Sequence, residues 1–147
     1  PLSLHDALPF YSLKPDNFSA KDGEFEFISK ERGGTVPEHV LIKTPVKFIW
    51  TIFVDTPGRK RFDISYSYQG GSGLSRLEIK TKGGTLEHKI TNTGKTVGEP
   101  RSQWIIDNFR SSSPGYLDFS NQGYYDIEML ITPSAGDEVK FQWLWIK

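Results

Sequence analysis

From residue 24 onward the chain alternates apolar and polar side chains with a period of two, the signature of half-buried strands. EFEFIS (24–29) sets Phe25 and Phe27 on one face, and HVLIK (39–43) follows. KFIWTIFV (47–54) aligns Phe48, Trp50, Ile52 and Val54, with Ile49 and Phe53 making its second face apolar as well. After Pro57-Gly58, RFDISYSY (61–68) aligns Phe62, Ile64, Tyr66 and Tyr68 against Arg61, Asp63, Ser65 and Ser67. Further strands are predicted over 75–80, 86–91, 102–107 and 116–119, then YYDIEMLIT (124–132) and EVKFQWLWIK (138–147). Within the last, Val139, Phe141, Trp143 and Trp145 share one face. No window carries a helical stripe. Short strands punctuated by Gly and Pro predict an all-β antiparallel sandwich or barrel.

Residues 1–23 lack a clean period and read as a linker or docking arm, with one short strand at most. Leu4, Leu8, Phe10, Tyr11 and Leu13 would need a surface to cover. The sandwich proper is assigned to 24–147, and the opening at Pro1 reads as a cut from something longer.

Composition narrows the function. Lys plus Arg is 18 and Asp plus Glu is 18, giving a formal net charge of zero. A nucleic-acid partner would call for a basic excess, and the longest basic run is only Arg59-Lys60-Arg61 at a turn. There is no cysteine, which excludes disulfides, thiol nucleophiles and Cys-held zinc. No run of 18 apolar residues predicts a membrane span, and no basic-then-apolar signal segment is seen.

Catalytic and metal constellations are absent from the sequence. His5, His39 and His88 are isolated, so no metal ligation through histidine is supported. GGSGLS (70–75) is half of a phosphate loop but joins two strands, so it reads as a hairpin loop. Asp63, Glu78, Glu87 and Glu128 fall at outward positions, where carboxylates are ordinarily solvated. Asn17-Phe18-Ser19 fits the N-glycosylation pattern, a motif that recurs by chance.

What remains is aromatic. Flat rings with a few polar neighbours grip sugars, whose faces are C–H and whose edges are hydroxyl. Phe48, Trp50, Phe62, Tyr66, Phe141, Trp143 and Trp145 are assigned to the core by parity. If successive strands reverse direction, alternate loops share an end. Loops 69–74 and 92–100 and turn 120–123 then gather at one end, away from 82–84, 108–115 and 133–137. The candidate carbohydrate site is therefore Tyr68, Arg101, Trp104, Asn121 and Tyr124, with Gln69, Asn92 and Gln122 in support.

The ordered series over about 47–147 carries a family resemblance. W-x-I-x-V-x-T-P-G from Trp50, D-I-S-Y-S-Y from Asp63, Leu77-x-Ile79, Thr93-Gly94, Trp104 and GYLDFSNQGYYDIEML resemble the sandwich accessory domains of bacterial glycoside hydrolases. The series is similar to the C-terminal domain of α-L-fucosidases and, more loosely, to carbohydrate-binding modules of families six and thirty-five. That resemblance implies an antiparallel β-sandwich of jelly-roll, galactose-binding-like type, used as a non-catalytic, exported, periplasmic or extracellular module. Its partners would be a glycan or polysaccharide and a catalytic domain of the same polypeptide. The alternative is a structural domain that packs on that catalytic domain without binding sugar. Sugar-binding members often carry an Asn before the final strand, where this chain reads SAGDEVKF. Many also hold structural calcium through an early E-x-E pair, to which Glu24-Phe25-Glu26 corresponds in letters. No cofactor is expected otherwise.

Overall fold

The computed structural model describes residues 10–28, 37–94, 97–98, 105–106 and 108–147. Its strands are β1 (Tyr11–Leu13), β2 (Ala20–Asp22), β3 (Glu26–Ile28), β4 (His39–Ile42), β5 (Val46–Val54), β6 (Gly58–Ser67), β7 (Arg76–Thr81), β8 (Gly84–Lys89), β9 (Val97–Gly98), β10 (Ile105–Ile106), β11 (Arg110–Phe119), β12 (Gly123–Thr132) and β13 (Val139–Ile146). Two antiparallel sheets face each other, as the alternation predicts. One runs β11-β6-β13-β4-β3 with β1 also on β13, and the other runs β2-β5-β12-β7-β8. Among the described residues, β9 and β10 pair with each other.

The core fills from the inward side chains of both sheets. Phe48 and Trp50 of β5, Ile127 and Met129 of β12, Phe62 and Ile64 of β6, and Phe141 of β13 are all buried. Phe48 stacks on Trp50 with centroids 5.4 Å apart and meets Phe141 at 5.7 Å, so aromatic rings bridge the sheets.

Four expectations are corrected. The expected arm over 1–23 is not separate from the sandwich along 11–22: β1 pairs with β13 and β2 with β5, so this stretch supplies a strand to each sheet. Trp50 seals this junction, its indole N–H donating to the Lys14 carbonyl at 2.9 Å and to Asn17 Oδ1 at 3.0 Å. The segment 108–115 is not a loop, because β11 runs through Ser111-Ser112-Ser113-Pro114. Pro114 is tolerated there because β11 is an edge strand and its register shifts between Ser112 and Gly115. Trp143 and Trp145 are not core. The β13–β6 register shifts between Phe141, opposite Tyr66, and Trp143, opposite Ser65. That extra residue, Gln142, reverses the alternation. Leu144 and Ile146 take over the inward positions, and the two indoles stack on the outer face 3.6 Å apart. Asp63, lastly, is buried rather than solvated, and it pairs with Arg61 at 2.9 Å and Lys147 at 3.7 Å.

Candidate functional site

The pairings fix which end each loop occupies. β6 runs away from the 55–57 turn, so loop 68–75 lies at the opposite end. β7 and β8 return to that end, where the connection between β8 and β11 begins and finishes. β11 then carries the chain back, so turn 120–122 joins 55–57 and 82–83. Loop 133–138 sits with loop 68–75 instead. The expected cluster is therefore divided. Tyr68 lies at one end, and Asn121 and Tyr124 lie at the other. Arg101 and Trp104 fall outside the described residues. The parity count fails at 102–119, where two strands were expected to cross between the ends; among the described residues β10 pairs with β9, and β11 makes the crossing.

Each described candidate has a physical assignment. Tyr68 is 2% exposed, its hydroxyl donating to Asp137 Oδ2 at 2.5 Å and its amide to Thr93 Oγ1 at 2.9 Å. Ser72 and Ser75 donate to the same Asp137 oxygen at 2.7 and 2.8 Å. The hydroxyl of Tyr68, then those of Ser72 and Ser75, hold the Asp137 carboxyl below its ordinary range. This knot ties loop 68–75 to loop 133–138, and Tyr68 is structural. Asn121 is exposed, but its amide and carbonyl are bonded by the Tyr125 hydroxyl at 3.2 and 2.8 Å, which shapes the turn. Among the supporting residues, Asn92 caps its own turn through Gly94 at 2.8 Å, and Gln122 donates to Asp55 at 2.9 Å.

Tyr124 is different. It is 69% exposed at the head of β12, directly opposite Phe53, which is 43% exposed. The rings meet edge to face at 5.0 Å, a contact that leaves a ring face open to solvent. Both stand on the outer face of the five-stranded sheet, whose register can be followed row by row. Below the rings come Thr51 and Asp126, whose side chains bond at 2.7 Å. Next come Ile49, Glu128, Lys80 and Thr85, then Lys47, Leu130, Glu78 and Glu87, and finally Thr132, Arg76 and Lys89. Lys47 and Glu128 at 3.5 Å and Lys80 and Glu78 at 3.7 Å form ion pairs on this face. A depression of about 470 Å³ lies beside the rings, lined by Tyr124, Asp126, Glu128, Lys80, Lys82 and Thr85. A ring face over a row of donors and acceptors is what a sugar chain requires.

Sequence reasoning placed Tyr124 in the site but missed Phe53. Ile49 and Phe53 had already marked KFIWTIFV as apolar on both faces, and that was the available signal. His88 is half-buried, and burial lowers its pKa. Its Nε2 lies 3.0 Å from the Tyr66 hydroxyl, while the Thr91 amide donates to that hydroxyl at 3.0 Å. This contact ties β8 to β6 across the sandwich. Glu24 and Glu26 share a shallow concavity with Lys43, and among the described residues no group of three metal-ligating side chains occurs. Among the described residues, no helix is long and apolar enough to cross a membrane.

No protein-family model matches the chain, and no curated protein matches it in sequence. Solved structures do share its fold. The C-terminal CBM6 of LamC, a marine laminarinase from Zobellia galactanivorans, is 15% identical with a TM-score of 0.66, over 95% of this chain and 99% of that one. The carbohydrate-binding module CBM6cm-2 from Cellvibrio mixtus lichenase 5A, solved in complex with cellotriose, is 13% identical with a TM-score of 0.64, over 93% and 95%. The mosquito-larvicidal Cry4Aa toxin from Bacillus thuringiensis is 10% identical with a TM-score of 0.69, and the chain spans 23% of its length. At these identities the likeness shows the sandwich fold.

Proposed function

We propose that this chain is a non-catalytic carbohydrate-binding module that holds a polysaccharide along the outer face of its five-stranded sheet. The observation that carries the reading is the solvent-facing Tyr124–Phe53 pair above a row of polar side chains. The fold supports it, since the chain spans nearly all of the two modules named above. The ordered motifs from Trp50 to Leu130 support a finer reading. In it the module belongs to an exported, periplasmic or extracellular glycoside hydrolase of α-L-fucosidase type and tethers that enzyme to its substrate. The site is shallow and open, so affinity is modest.

Native affinity electrophoresis through gels containing different polysaccharides tests the reading. At least one polymer retards the chain, and Tyr124→Ala weakens that retardation about tenfold, the effect of truncating a central aromatic anchor. Unfolding stability stays within about 0.5 kcal/mol, because an exposed side chain is removed. Retardation that survives Tyr124→Ala and Phe53→Ala together would sink it.

A second reading, a structural module packed on a catalytic domain, draws on the opposite face. There Trp143 and Trp145 stack, Phe10 meets Trp145 edge-on at 4.9 Å, and Trp145 Nε1 is buried with no partner among the described residues. If that face is covered by a neighbouring domain, Trp143→Ser with Trp145→Ser abolishes association with it in trans. Undiminished association rules the reading out.

A further inference from the structure

The outer sheet face ends, opposite the aromatic pair, in a charge arrangement that strand packing alone disfavours. Arg76 and Lys89 stand directly across from one another on β7 and β8, and so do Glu78 and Glu87 one row in. Like charges in directly opposed positions destabilise a sheet. Glu78 is relieved by Lys80 at 3.7 Å. Arg76 and Lys89 form no ion pair among the described residues. Both are exposed, and with Thr132, Leu130, Glu78 and Glu87 they line a concavity of about 310 Å³. The Lys89 ammonium reaches loop 68–75, ending 3.7 Å from where a Cβ would stand on Gly73. A guanidinium and an ammonium side by side, facing one unrelieved carboxylate, form a seat for an anion.

We propose that this cation pair recognises an anionic substituent, a carboxylate or a sulfate ester, on a glycan whose backbone lies on the Tyr124–Phe53 rings. The inference rests on the reading that this sheet face holds a glycan, and it names the ligand class. Thr132, beside Arg76, stands eight residues along β12 from Tyr124. At about 3.4 Å per residue that is roughly 27 Å, a span of about five sugar units. The rings would fix the chain at one end, the ion pairs between would present a balanced surface, and the cations would select for acid groups at the other end.

The test uses one backbone in three forms: hydroxyethylcellulose, carboxymethylcellulose and cellulose sulfate, in native affinity gels with the whole chain. The wild type binds at least one anionic polymer about three- to tenfold more tightly than the neutral parent, the range two exposed ion pairs supply. The preference shrinks as salt rises to about 0.2 M, where screening shortens the reach of exposed charges. Arg76→Gln with Lys89→Gln brings the anionic-to-neutral ratio to about one, whereas Arg76→Lys preserves most of it. Comparing the two anionic arms separates carboxylate from sulfate. A wild-type ratio near one, or a ratio indifferent to the double substitution, overturns the inference. If the neutral parent is still retarded in a Tyr124-dependent way, the glycan-face reading survives that failure. If no polymer is retarded, the inference falls, and the glycan-face reading is decided by the wider set of polysaccharides above.

Discussion

Asn17→Ala tests whether the N-terminal segment is part of the sandwich or an arm laid against it. Asn17 Oδ1 accepts from the Lys14 amide at 2.7 Å and from the Trp50 indole at 3.0 Å, while Nδ2 donates to the Ser12 carbonyl at 3.1 Å. These three bonds join the end of β1 to the central Trp50, which is 2% exposed. A net hydrogen bond is worth about 0.5–1.5 kcal/mol, and the lower end applies because Asn17 is itself exposed. Trp50 also keeps its bond to the Lys14 carbonyl. The expected loss is therefore about 1.5 kcal/mol, a fall of roughly 3–6 °C in Tm for a chain of this size. Asn17→Asp retains the acceptor and loses only the donation to Ser12, so it falls by about a third as much. Urea unfolding followed by Trp fluorescence measures both. If Asn17→Ala unfolds within about 0.3 kcal/mol of the wild type, the segment is not integral and the reasoning fails.

Other outcomes follow from the same contacts. Deleting Gln142 removes the extra residue of the β13 bulge and leaves Trp143 directly after Phe141, so Trp143 and Trp145 stay outward and Leu144 and Ile146 inward; circular dichroism should show a cooperative native-like melt, and loss of the native fold would refute the register argument. His88 is held neutral by burial, so its folded pKa lies below the unfolded value near 6.5. Its contribution to stability is fully present above that value and is lost as pH falls through the lower folded pKa; Tm measured from pH 7.5 down to about 5 should drop more for the wild type than for His88→Gln. Asp137 is also held low, so the knot between loops 68–75 and 133–138 persists above its unfolded pKa and loosens as pH falls through the folded one. Asp137→Asn should speed proteolysis at loop 68–75, and equal cleavage rates would refute that. Gly23→Ala should destabilise markedly, since φ is +106° and a Cβ would lie 2.4 Å from the Pro45 carbonyl oxygen; an unchanged melt would contradict the geometry.

The fold was legible because burial on one face of a strand writes period two directly into the chain. β5, β6, β7, β12 and β13 all begin and end within a few residues of their alternating runs. The features that escaped are those where local pattern and global pairing part company. Ser111-Ser112-Ser113-Pro114-Gly115 carries turn composition, yet it extends because β6 supplies partners along its length and its other edge is free. EVKFQWLWIK alternates without interruption in letters if Trp143 and Trp145 are counted inward. The bulge at Gln142 is visible only once Ser65 is seen to face Trp143. Residues 11–13 and 20–22 are too short to show a period, and their strands exist through β13 and β5 rather than through their own propensity.

The site was half legible for the same reason. Tyr124 could be identified as outward from one strand alone, because its parity relative to Tyr125, Ile127 and Met129 is local information. Grouping it with Tyr68 required counting every strand between them, and one miscounted crossing moved Asn121 and Tyr124 to the other end of the molecule. A site built from loops is exposed to that error at each connection. A site built on a sheet face is not, since its rows are set by pairings within the sheet. The Phe53–Tyr124 contact, the Lys47–Glu128 and Lys80–Glu78 pairs and the Arg76/Lys89 opposition all come from the register of β5, β12, β7 and β8. Strand-borne rings and charges are also held more rigidly than loop-borne ones, so little ordering cost is left for a ligand to offset. On the reading proposed above, that rigidity suits the sheet face to hold a glycan.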